Sequence, residues 1–113
     1  MTKIKDKYDC ALLLTHNIIG CKWKMMILWH IANGDNRFSI LKKKISDITE
    51  KVLYTNLREL YECGIIYKES IFHEKRTAVF YYLEEEYRNL ESVINSLYEF
   101  TKYYARLNEI EIG

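Results

Sequence analysis

The sequence predicts a mainly α chain carrying one small β hairpin, and three observations support that reading. Apolar residues recur at three- to four-residue spacing through most of the chain. Two β-branched and aromatic runs, IIYKESIF and TAVFYYL, flank the polar segment HEKR. No proline interrupts any segment. With 113 residues, 49% of them hydrophobic, the chain has material for one modest core, so residues 1–113 are expected to form a single domain.

The elements follow in order. YDCALLLTHNII reads as a first helix interrupted at Gly20, and KWKMMILWHIANG as a second, with Trp23, Met26, Ile27 and Ile31 in helical register and Gly34 placed to end it. In NRFSILKKKI, Ser39 can cap a third helix. Its Phe38, Leu41 and Ile45 face inward, while Lys42, Lys43 and Lys44 wrap the exposed side. Residues Ser46 to Ile48 separate it from a fourth helix, which Thr49 caps and which ends near Cys63 and Gly64. Along KVLYTNLREL, Leu53, Leu57 and Leu60 form a narrow apolar stripe, with Lys51, Tyr54, Thr55 and Arg58 turned away from it. After the hairpin, residues 84–110 predict a long last helix. Leu90, Val93, Ile94, Leu97, Thr101, Tyr104 and Leu107 fall at helical spacing there, and acids stand at its start, where the helix dipole favours them.

Two helices joined by so short a turn, with a hairpin directly behind them, have the layout of a winged helix-turn-helix. The helix-turn-helix occupies about residues 39–63, the wing about 65–83 and the last helix about 84–108. That last helix is longer than so small a core requires. With the first helix, it is expected to form a symmetric homodimer interface.

The chemistry of the outward groups points to double-stranded DNA. Arg58 and Lys51 can donate to guanine or to phosphate, and Tyr54 and Thr55, with Thr49 at the helix start, can hydrogen-bond or touch thymine methyls. Lys42, Lys43 and Lys44 suit phosphates as the preceding helix crosses the backbone, and Lys75 and Arg76 at the hairpin tip suit the adjacent minor groove. For each group the competing reading is an ordinary solvated surface. Arg37 can contact phosphate or pair with Asp35 or Glu62, the structural role being favoured, and Trp23 and Trp29 are expected to serve core or interface packing. Charge is divided unevenly. Residues 1–58 carry eleven Lys or Arg against five Asp or Glu, net +6, and residues 59–113 carry six against eleven, net −5, which together give the formal +1. A basic half suits an acidic partner.

Several classes are disfavoured. No run of apolar residues is long enough for a membrane span and no signal segment opens the chain, so a cytoplasmic protein is expected. Cys10, Cys21 and Cys63 are odd in number and lack metal-ligand spacing, so neither a disulfide framework nor a metal or cofactor is expected. Cys10 stands near the first helix's N-terminus, where the dipole and nearby Lys5 and Lys7 favour a reactive thiolate, making it the candidate redox-sensing residue. Cys21 and Cys63 read as apolar fillers. A thiol enzyme would need a base beside Cys10, and His16, six residues on, lies on another helix face.

From Cys10 to about Leu90 the chain resembles the HxlR family of bacterial winged helix-turn-helix transcriptional regulators. The residues that carry the resemblance are Cys10 twelve positions before Lys22 and Trp23, GCKWKMMIL, RFSIL and KVLYTNLRELYECGII. It implies a dimeric regulator, most often a repressor, that binds inverted-repeat operators. In several members the cysteine at the position of Cys10 senses oxidants or electrophiles. The other function kept in view is a winged-helix interaction module that no longer binds DNA and uses the same basic face on an acidic protein.

Overall fold

The computed structural model describes residues 4–113. Its elements run α1 (Ala11–Ile19), α2 (Lys24–Ala32), α3 (Phe38–Lys44), α4 (Glu50–Glu62), β1 (Ile66–His73), β2 (Arg76–Leu83), a 3-10 turn (Glu85–Tyr87) and α5 (Leu90–Leu107). The core gathers where α2, α3 and α4 meet the root of the hairpin. Ile27, Leu28, Leu41, Leu53 and Leu60 are fully covered, and Ile31, Ile48, Leu57, Ile66, Leu83 and Ile94 close around them.

The fourth helix is built much as its sequence requires. Thr49 has extended backbone and its Oγ1 accepts the Val52 N–H at 3.1 Å, satisfying a donor that the first turn leaves free. At the other end Gly64 takes φ +79°, which only glycine adopts cheaply. The Ile65 N–H then reaches the Leu60 carbonyl and the Gly64 N–H the Tyr61 carbonyl, the paired bonds of a Schellman end. That turn sends the chain straight into β1.

The strands pair antiparallel from Ile66 opposite Leu83 to His73 opposite Arg76. The tip is narrower than the HEKR segment expected from sequence: Glu74 and Lys75 alone form the turn, both with positive φ (52° and 64°), the mark of a type I′ hairpin. The hairpin's root is fastened by the Glu84 N–H to the Ile65 carbonyl, the Tyr81 N–H to the Asn36 carbonyl, and the stacked rings of Tyr67 and Tyr82.

Other boundaries also differ from expectation. Helix α1 starts at Ala11, with Cys10 as its N-cap residue. Helix α3 starts at Phe38 and its N-cap residue is Arg37, whose side chain makes no capping bond, while Ser39 lies inside the first turn. Arg37 pairs with neither Asp35 nor Glu62; its guanidinium lies over the Phe80 ring at 5.4 Å. Met26 faces solvent and Leu28 takes the buried position. Residues 84–89 stay out of the last helix, so of the acids expected at its start only Glu91 stands in the first turn of α5.

Helix α5 has two apolar stripes. Ile94 and Ala105 are buried against the chain's own core, and Tyr98 stacks on Trp29 with ring centroids 4.6 Å apart. Along another stripe Val93, Leu97, Phe100, Tyr104 and Leu107 alternate in steps of four and three, the spacing of a coiled-coil seam, and every one of them is exposed. Leu12 and Leu13 of α1 are exposed as well. The radius of gyration, 15.5 Å, exceeds the roughly 13 Å of a compact chain of this length, as protruding elements require.

Candidate nucleic-acid interface

Because Leu53, Leu57 and Leu60 bury one side of α4, the opposite side must be presented outward, and the residues there are those singled out by sequence. Lys51, Tyr54 and Arg58 are exposed and Thr55 is half-buried. Arg58 makes a loose contact to Glu62 one turn on, at 3.7 Å, leaving most of its donors free. Thr49 is exposed, but its oxygen is committed to the cap.

On α3, Lys43 and Lys44 are exposed and Lys42 is half-buried. They are not equivalent. The Lys44 ammonium lies 3.2 Å from Asp35, and the other Asp35 oxygen meets His30 Nδ1 at 3.1 Å. The hydrogen bond from His30, with Lys44 beside it, holds the Asp35 carboxyl below its ordinary range. His30 is thus a structural partner that ties the end of α2 to α3. Lys75 and Arg76 are exposed at the hairpin tip.

One group was not singled out by sequence. Lys68 on β1 stands with its ammonium over the Tyr61 ring at 4.7 Å, and it lines a small hollow together with Tyr54, Arg58, Tyr61 and Tyr81. The helix and the wing therefore share a strip of cations and phenols. Burial, followed by the proximity of Tyr54, pushes the Tyr81 phenol above its ordinary value, so it remains a neutral donor. The only sequence signal for Lys68 was a cation in a strand otherwise apolar near its root. Its place beside α4 depends on the Gly64 turn.

Cys10 is exposed at the start of α1, and its sulfur makes no capping bond. Cys21 is half-buried. Cys63, expected as a filler, is exposed at the C-cap of α4; it donates weakly to the Leu60 carbonyl and borders a cavity of about 440 Å³ between α1 and the start of α5. Among the described residues no group of three or more His, Cys, Asp or Glu comes together as metal ligands would. No helix there is long and apolar enough to cross a membrane.

Residues 18–109 match the HxlR-like helix-turn-helix family. The chain belongs to that family. An HTH-type transcriptional regulator of Bacillus subtilis (strain 168), YdeP, is 36% identical over 107 residues, covering 94% of this chain and 83% of its own length. Another from the same organism, YtcD, is 38% identical over 93 residues, 82% of this chain and 73% of its own. Among solved structures, the redox regulator HypR in its reduced form superposes with a TM-score of 0.79 at 29% identity, over 90% of this chain and all of that one. Its oxidized form gives 0.76 at 32% identity, over 83% and 96%.

The HxlR-type chain is accordingly a transcriptional regulator of the helix-turn-helix class, a family of DNA-binding regulators and not of enzymes. Its five helices and hairpin are a winged helix. The family match spans α2 to α5 and begins only at residue 18, so Cys10 and most of α1 lie outside it.

Proposed function

We propose that this HxlR-type regulator is a dimeric repressor that folds and acts as one unit over residues 1–113 and grips an inverted-repeat operator with two copies of α4. The observation that carries the reading is the split of α4 into a buried leucine stripe and an outer face of Lys51, Tyr54, Thr55 and Arg58. In the major groove, Arg58 and Lys51 donate to guanine edges or phosphates, and Tyr54 and Thr55 supply hydroxyls and apolar edges. Lys42, Lys43 and Lys44, with Thr49 at the helix start, face the backbone before the groove, and Lys75 and Arg76 reach phosphates or the minor groove beside it.

The exposed seam on α5 and the leucines of α1 support a twofold pairing of chains. Two α4 helices would then read half-sites about 34 Å apart, one turn of DNA. A pair spread over that length excludes other proteins from the same stretch, which is repression by occlusion.

Cys10 is the proposed switch. Its exposure at a helix start supports reaction with a peroxide: the thiolate attacks one peroxide oxygen, the O–O bond breaks, the leaving oxygen takes a proton from solvent, and the products are a sulfenic acid and water or an alcohol. HypR's description as a redox regulator adds to the case.

The test is fluorescence anisotropy with the duplex upstream of the protein's own coding sequence against a scrambled duplex at equal salt, before and after peroxide. Binding tighter by about a thousandfold to the first duplex is expected. Peroxide should change it in the wild type and not in Cys10→Ser. Equal weak binding to both duplexes would count against the regulator reading at that site, and an unchanged oxidant response in Cys10→Ser would remove the switch.

A further inference from the structure

Lys24 and Glu59 have no part in the interface above, yet they form the most deeply buried ion pair among the described residues. The Lys24 Nζ lies 2.8 Å from Glu59 Oε1, and the two side chains are 4% and 11% exposed. Lys24 is the first residue of α2 and Glu59 belongs to α4, so the contact ties the central helix to the one proposed to read DNA.

Stability does not account for the pair. A lysine at a helix N-terminus opposes the dipole there, and taking two charges out of water costs much of what their attraction returns. An apolar pair of similar volume would serve the core as well. Direction is what a salt bridge adds. The contacts of Leu53, Leu57 and Leu60 are non-directional, and a leucine stripe tolerates small rotations of its helix. A 2.8 Å ion pair does not. Glu59 stands one turn beyond Thr55 and next to Arg58, so fixing its azimuth fixes theirs. At the 5–6 Å radius of a helix with side chains, a rotation of about 20° moves a side-chain tip by about 2 Å, enough to break a hydrogen bond to a base edge.

We infer that Lys24 and Glu59 are positioning residues that set the rotation of α4 and thereby the base preference of the regulator. The inference rests on the DNA-reading role proposed for α4.

The experiment compares the wild type with the double variant Lys24→Met/Glu59→Leu, using selection from a random-core duplex pool and then competition between the selected and a scrambled duplex. The double variant removes one charge of each sign and no group proposed to touch phosphate. It should therefore melt close to the wild type and keep its affinity and salt slope on the scrambled duplex. Its preference for the selected duplex should fall about tenfold or more, the scale of a mismatched base pair. Glu59→Leu alone, which strands a buried ammonium, should melt well below both. Full retention of the wild-type preference by the double variant would overturn the inference. A wild type that enriches no sequence would instead overturn the DNA reading, and the inference with it. If the double variant fails to fold, Lys24→Arg keeps the charge and alters its geometry; a changed selected sequence at unchanged melting supports the positioning role, and an unchanged one overturns it.

Discussion

Replacing Phe100 by Asp should convert the proposed dimer to a monomer while leaving each chain folded. Phe100 sits in the middle of the exposed seam of α5, is 64% exposed, and its nearest ring neighbour is Tyr104, with centroids 6.5 Å apart. It therefore contributes little to its own chain's core. A phenylalanine offers roughly 150–250 Å² for burial, so a partner would cover about 100–150 Å² of what is now open. At about 25 cal/mol per Å² that is around 3 kcal/mol for each chain and at most about 6 kcal/mol for a symmetric pair. Association recovers only part of such area, so about 3 kcal/mol is a sound working figure, a factor of roughly a hundred in Kd. The carboxylate adds the cost of burying an unpaired charge. Sedimentation velocity at micromolar concentration reads the outcome, with circular dichroism as the control for folding. A Phe100→Asp protein that stays dimeric with the wild-type Kd, or a wild type that is monomeric at the highest concentrations reached, would refute the assignment of this face.

Three further outcomes are expected. Thr49→Ala removes the oxygen that holds the Val52 N–H, so the protein should lose about 1 kcal/mol and melt about 4 °C lower, with no change in dimerisation. Lys43→Ala, altered in both chains of a dimer, should reduce the salt slope of DNA affinity by about two, while Lys44→Ala, whose ammonium is already engaged by Asp35, should reduce it less; equal slopes would show that the Asp35 contact does not hold Lys44 back. Asp35→Asn should lower the melting temperature at neutral pH, by the equivalent of about 1 kcal/mol. The folded carboxyl titrates below its ordinary 3.8, so its contribution is present above that value and is lost as pH falls through the folded one. Melting curves of variant and wild type should therefore converge in strong acid.

What could be read from sequence was local. The leucine stripe of α4 and the Thr49 cap depend on residues within one or two turns, and both stand as expected. Boundaries set by distant partners could not be read. Helix α3 starts at Phe38 instead of behind a Ser39 cap because Asn36 is held by the Tyr81 N–H and Arg37 by the Phe80 ring, both forty-odd residues away. The last helix begins late because Glu84 is tied to Ile65. The two-residue turn carries neither Asn nor Gly at Glu74 and Lys75, so nothing in the composition marked its type. Within the candidate interface, the outward face of α4 was legible from periodicity. The unequal status of the three lysines, the place of Lys68 and the Lys24–Glu59 pair were not, since each depends on how two elements meet.

The hairpin is a lever. Its buried residues, Ile65, Ile66 and Leu83, all lie at the root, and Tyr81 is the last residue of β2 whose backbone is tied to another element; from Lys68 to the turn the first strand is exposed. The free arm is about five residues, some 16–17 Å at the usual rise of a strand. A swing of about 10° at the root would carry Lys75 and Arg76 some 3 Å sideways, close to the roughly 3.4 Å by which successive phosphates of one strand advance along the helix axis. The aim of the tip is thus governed by residues that never leave the core, and a conservative change at Leu83 or Ile66 would redirect two cations at a distance without altering either of them.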